Sequence, residues 1–151
     1  MGIDVLVSNE QDRHVLDEHR WAELARAALV AEGVGPNAEL SLLFVDEKAI
    51  AELNERYLGH EGPTDVLSFA IDDGDGGPGA ELLRLVGDIV ICPSVAATNA
   101  VLNGHSLDDE IALLVVHGVL HLLGMDHEDD VEAEMMERRE QELLDAHFRQ
   151  R

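Results

Sequence analysis

Residues 117 to 127, HGVLHLLGMDH, place three histidines at H-x3-H-x5-H inside an otherwise apolar run. A lone histidine in an apolar helix is ordinarily a hydrogen-bonded core residue. Three so close together are different, because each buried imidazole without a partner costs roughly 1 to 3 kcal/mol. Residues four apart on a helix lie one above the other, so His117 and His121 present their rings on one face. Gly124 then permits the left-handed turn that stops a helix, and the reversed chain brings His127 back over that face. Two ligands from a helix and a third from the turn after it leave a fourth position open, the arrangement of catalytic rather than structural zinc. Nickel, copper and iron also accept imidazole, so the ligands alone do not single out the metal.

The spacing matches the zinc-peptidase pattern H-E-x-x-H-x-x-G-x-x-H at its histidines and its glycine. The residue after the first histidine is Gly118, however, where a peptidase carries its glutamate general base. Without that carboxylate a peptidase lacks its proton acceptor, and a zincin-like scaffold running other chemistry is the better reading.

Periodicity supplies the elements that must hold these residues. IDVLVS (3 to 8) predicts a strand, Leu16 to Val30 a helix, and AELSLLFV (38 to 45) a second strand. Asp46 is the expected N-cap of a helix through Tyr57, followed by a strand over 66 to 71. LVGDIVIC (85 to 92) predicts a fourth strand and Ser94 to Leu102 a helix. Ser106, with Asp109 three positions on, caps the helix that carries His117 and His121. A last helix starts near Asp129 or Asp130 and runs to about Phe148. DDGDGGPGA (72 to 80) fails the calcium-loop spacing and reads as a connection. The order predicts an α+β fold, one domain over residues 1 to 151, with a mostly sequential mixed sheet of about four strands and about five helices.

Composition bounds the function. At 151 residues and 46% hydrophobic, the chain holds enough for one core and too little for two comfortable ones. Thirty-two acidic against ten basic residues give a net charge of −22, and Lys48 is the sole lysine. Such a surface repels polyanions at long range, which argues against a general nucleic-acid binder and requires any RNA contact to be local. Nothing in MGIDVLVSNE reads as a leader, no apolar run is long enough to span a membrane, and Cys92 has no partner for an internal disulfide; a cytoplasmic protein is expected.

Beyond the histidines, LNERYLGHEGPTDVLSF (53 to 69), GDIVIC (87 to 92), GHSLDDE (104 to 110) and EAEMMERREQELL (132 to 144) occur in the order of blocks in a known family. With HGVLHLLGMDH they resemble the YbeY-type family, bacterial rRNA maturation factors regarded as zinc-dependent, single-strand-specific endoribonucleases. The resemblance covers most of the chain from about residue 40 onward; residues 1 to 37 match only in general pattern. It implies one Zn(2+) ion on His117, His121 and His127, a zincin-like fold and a cytoplasmic location. It also implies work on the single-stranded 3′ end of small-subunit (16S) rRNA, with the small ribosomal subunit or its proteins as partners, and a role in ribosome quality control. Many members carry an arginine that faces substrate where this chain has Leu58. Arg56 is no simple substitute, since two helical positions rotate a side chain by about 200°.

On this reading zinc polarises a phosphate oxygen and acidifies water for attack on the RNA backbone. The general base is not assigned. Glu110, seven residues before His117, and Asp126, beside His127, are the carboxylates placed for it, but each better suits a structural role: Glu110 orienting a ligand imidazole and Asp126 tying down the turn. Arg56, His60 and Arg84 are candidates to hold phosphate, against the plainer role of solvated surface residues, and Cys92 reads as a small core residue. Two other classes stand beside the nuclease: a non-catalytic assembly factor stabilised by zinc, and a peptidase-like hydrolase.

Overall fold

A computed structural model describes residues 2–71 and 83–149, so the reading made for residues 72 to 80 lies outside the described residues. The elements follow the expected order: β1 (Ile3–Asn9), α1 (Glu18–Ala31), β2 (Ala38–Phe44), α2 (Glu47–Leu53), β3 (Val66–Ala70), β4 (Arg84–Ile91), α3 (Pro93–Asn103), α4 (Leu107–Leu122) and α5 (Asp130–His147). Side chains close the helix starts where the sequence offers caps. Asp46 accepts from the Ala49 N–H, Asp129 from the Glu132 N–H, and Ser106 and Asp109 form a reciprocal capping box at α4. Pro93 sits in the first turn of α3, where a missing N–H leaves no hydrogen bond unmade.

The sheet is mixed, with strand order β1-β2-β4-β3. β1, β2 and β4 run parallel, and β3 is antiparallel to β4. Two of the three pairings join consecutive strands, but β4 enters between β2 and β3. Burial explains the insertion: Val86, Ile89, Val90 and Ile91 are buried on both sides of β4, which suits an interior strand, whereas β3 ends in exposed Ala70 and takes the edge.

One face of the sheet packs Leu40, Leu42, Phe44, Ile89 and Ile91 under α1, α4 and α5 in the main core. On the other face, a smaller cluster gathers Val45, Leu67, Val90 and Cys92 around Ile50 of α2. The helix expected to reach Tyr57 changes character at Leu53 and continues as a π-helical turn, Asn54–Leu58. The wider turn accompanies a buried Asn54, whose side-chain amide donates to the Gly62 carbonyl at 3.0 Å. Such local periodic slips leave no trace in hydrophobic spacing.

Candidate functional site

Helix α4 is buried along most of its length, and its apolar side chains press it onto β4 at close range. A Cβ on Gly118 would lie 2.9 Å from two atoms of the Ile89 side chain. Only glycine lets the helix sit this near the strand, so the position a peptidase gives to glutamate is filled here by the sheet.

From that helix His117 and His121 project with ring centres 6.4 Å apart and planes within 5° of parallel, close to the rise of four helical residues. Gly124 takes φ +103, its N–H donates to the His121 carbonyl, and the Met125 N–H donates to the Leu120 carbonyl. This left-handed termination turns the chain back, and the His127 ring centre comes within 5.8 Å of that of His117. Asp126 fastens the turn by accepting from the His127 N–H at 2.7 Å. The three histidines thus share one space, with His121 and His127 exposed and His117 half-buried.

A residue that the sequence reading missed organises the innermost ring. Glu140 of α5, 6% exposed, brings Oε2 to 2.7 Å from His117 Nδ1. The contact suits the tautomer in which Nδ1–H donates to the carboxylate, the one that leaves Nε2 to face a metal. The available signal was a lone charge on an apolar stripe, since Glu140 follows Met136 by four and precedes Leu143 and Leu144 by three and four. Glu110 does not take this role. It is buried and pairs with His105 Nε2, because seven helical residues carry it about 10 Å down the axis from His117.

Three imidazoles, one of them backed by a carboxylate, are the donor chemistry of a divalent metal site. Two imidazoles bonded to one tetrahedral ion at about 2.0–2.1 Å set their ring centres roughly 5 Å apart. The rings here stand roughly 1 Å wider than that estimate, and among the described residues no group of three His, Cys, Asp or Glu side chains is closed to ligand geometry. The exposed His121 and His127 have the rotameric freedom to move inward, so the donor set fits an ion while the arrangement is open.

The other named residues fall elsewhere. Arg56 lies on the π-helical turn and His60 just beyond it, both exposed, and neither is hydrogen-bonded, ion-paired or ring-stacked to the three histidines among the described residues. Leu58 is 51% exposed on the same turn. Arg84 is half-buried at the start of β4, beside a cavity of about 330 Å³ lined by Glu32, Leu120, Leu123 and Met125 among others. Cys92 is fully buried, and burial raises its thiol above the ordinary value of 9.0, as suits a core residue. No helix among the described residues is long and apolar enough to cross a membrane.

Fold and site together define a small α+β domain in which a helix and the turn after it gather three histidines against a four-stranded mixed sheet. A family profile described as Endoribonuclease YbeY matches residues 6–147. A relative named Endoribonuclease YbeY from Thermobifida fusca is 51% identical over 146 residues, covering 95% of this chain and 92% of its own. Another, from Pelotomaculum thermopropionicum, is 49% identical over 143 residues, covering 93% and 94%. The solution structure of TM1509 from Thermotoga maritima shares the fold at TM-score 0.61 and 24% identity, over 94% of this chain and 90% of that one. The chain belongs to the endoribonuclease YbeY family.

Proposed function

We propose that this protein is a zinc-dependent, single-strand-specific endoribonuclease that matures the 3′ end of small-subunit rRNA in the cytoplasm and serves ribosome quality control, with the small ribosomal subunit as its partner. The observation that carries the reading is the gathering of His117, His121 and His127, with His117 oriented by a buried carboxylate, in a chain whose relatives are named endoribonucleases. These three side chains would hold one zinc ion. When bound, the ion supplies Lewis acidity to a phosphate oxygen and to the attacking water.

The chain's own residues do the rest of the positioning. Glu140 holds His117 in the tautomer that offers Nε2, and Asp126 fixes the backbone from which His127 projects. His121 and His127 are solvent-exposed, so an RNA strand can reach the cluster without opening the core. Arg56 and His60, exposed on one short segment, are the proposed phosphate contacts. The packing of Gly118 on Ile89 speaks against a peptidase, since a glutamate side chain has no room there.

The test is incubation of the purified protein with single-stranded RNA spanning a precursor 3′ end of small-subunit rRNA, beside His121→Ala and a chelated sample. Cleavage by the parent that is lost in both controls is the expected result. A folded, zinc-loaded parent that leaves RNA intact, yet unfolds on chelation, would instead identify a zinc-stabilised assembly factor.

A further inference from the structure

We infer that Tyr57 is a nucleobase-stacking platform for single-stranded RNA, an inference that rests on the endoribonuclease reading and adds a substrate contact to it. With a net charge of −22, this protein cannot draw its RNA affinity mainly from phosphate neutralisation, the usual source. The attraction has to come from a contact indifferent to the sign of the surface, and stacking of a base on an aromatic ring is such a contact.

Among the Phe, Tyr and Trp rings of the described residues one is strongly exposed. Trp21 and Phe44 are buried, Phe69 and Phe148 are partly buried, and Tyr57, the only tyrosine of the chain, is 59% exposed. Its mounting is firm. The π-helical turn that carries it is anchored by the bond from the Asn54 amide to the Gly62 carbonyl and by the His60 N–H donating to the Asn54 carbonyl. The ring meets Phe69 of β3 edge-to-face, with centres 5.5 Å apart and planes at 68°. Such a contact braces a ring while covering one face at most.

Its neighbours suit a nucleotide. The Arg56 guanidinium carbon lies over the Tyr57 ring at 5.8 Å from its centre, a loose cation–π contact on an exposed side chain that an incoming base would displace, freeing the charge for that nucleotide's phosphate, and exposed Leu58 extends the apolar surface. Phe69, which braces Tyr57, and the helix that carries His121 approach the same residue of β4. The Phe69 carbonyl and the Leu122 side chain converge on Gly87, 2.4 and 2.9 Å from where its Cβ would stand, and Leu122 directly follows His121.

The experiment measures binding of the full chain to a labelled single-stranded RNA and to the same strand made abasic, at several salt concentrations, for the parent, Tyr57→Leu and Tyr57→Phe. Stacking requires Tyr57→Leu to bind normal RNA about tenfold more weakly with an unchanged salt slope, Tyr57→Phe to match the parent, and the abasic strand to show no difference between variants. Circular dichroism melts of the variants should overlay the parent's, since the ring is exposed. Parental RNA affinity in Tyr57→Leu overturns the platform alone and leaves Tyr57 and Leu58 as a protein-docking patch. A tenfold loss on abasic RNA as well, or in Tyr57→Phe, also overturns it. A parent that neither binds nor cleaves RNA overturns the platform and the endoribonuclease reading together.

Discussion

His117 Nδ1 on α4 and Glu140 Oε2 on α5 meet at 2.7 Å across 23 positions of sequence. A carboxylate behind a ligating imidazole fixes its tautomer and raises its basicity, and loss of such a partner weakens metal binding by about ten- to a hundredfold. If the proposed zinc site is right, Glu140→Ala lowers zinc affinity by about that factor in competition with a chelating dye. Glu140→Gln, which still offers an oxygen to Nδ1–H, should fall between it and the parent. Parental affinity in both variants would remove Glu140 from the metal site.

Gly118 and Ile89 set the distance between α4 and the sheet. Alanine normally gains about 1 kcal/mol over glycine inside a helix. Here the added carbon would meet the buried Ile89 side chain at 2.9 Å, and overpacking of this kind costs typically about 1–3 kcal/mol. Gly118→Ala is expected to lower the urea midpoint, and to lower it by less when introduced into an Ile89→Ala background, where the clash is gone. Stabilisation by Gly118→Ala alone would show that the strand yields freely.

The start of α4 carries an acid-sensitive element. Burial pushes the Asp109 carboxyl up, but hydrogen bonding from Ser106 outweighs it and holds the group below its ordinary 3.8. A depressed folded value means stabilisation that is fully present above 3.8 and is lost as the pH falls through the folded value. Asp109→Asn should therefore flatten the acid limb of a stability-against-pH curve without changing its neutral shape. Ser106→Ala, which removes the other half of the capping box, is expected to cost about 1 kcal/mol at neutral pH. Identical acid limbs for the parent and Asp109→Asn would contradict this account.

Arg84 presents a buried Nε with no hydrogen-bond partner among the described residues. An unsatisfied buried donor costs about 1–3 kcal/mol, and methionine keeps the unbranched stem while removing the donor. Arg84→Met is expected to raise the melting temperature by a few degrees, in line with about 1 kcal/mol in a domain of this size. An unchanged or lower melting temperature would mean that water in the adjoining cavity already satisfies Nε.

Much of this was legible because it is local. The period of Trp21, Leu24, Ala28 and their neighbours marks α1, and the capping residues Asp46 and Ser106 mark helix starts to within a residue. The histidine cluster was legible for the same reason, since helical spacing and one glycine determine it. What escaped depends on contacts between distant segments. Glu140 is marked out on α5 only by its place on the stripe of Met136, Leu143 and Leu144, and its partner, His117, is decided by the approach of α4. Glu110 finds His105, five residues away, because both lie at the same end of α4. The insertion of β4 between β2 and β3 reflects two-sided burial of a strand whose sequence alone names no neighbours. The aromatic role of Tyr57 was hidden by the π-helical turn, which alters where the side chains after Leu53 point.

The contact between His117 and Glu140 also makes a closed ring of chain, and His127 lies inside it. The exposed third histidine has little packing of its own, but the entropy of bringing it to the other two has already been lost on folding. In the proposed metal site it would be a tethered ligand whose effective concentration is set by the span between α4 and α5. Lengthening that span should weaken metal capture only gradually, at about 0.6 kcal/mol for each doubling. Severing it would turn an intramolecular ligand into a diffusing one.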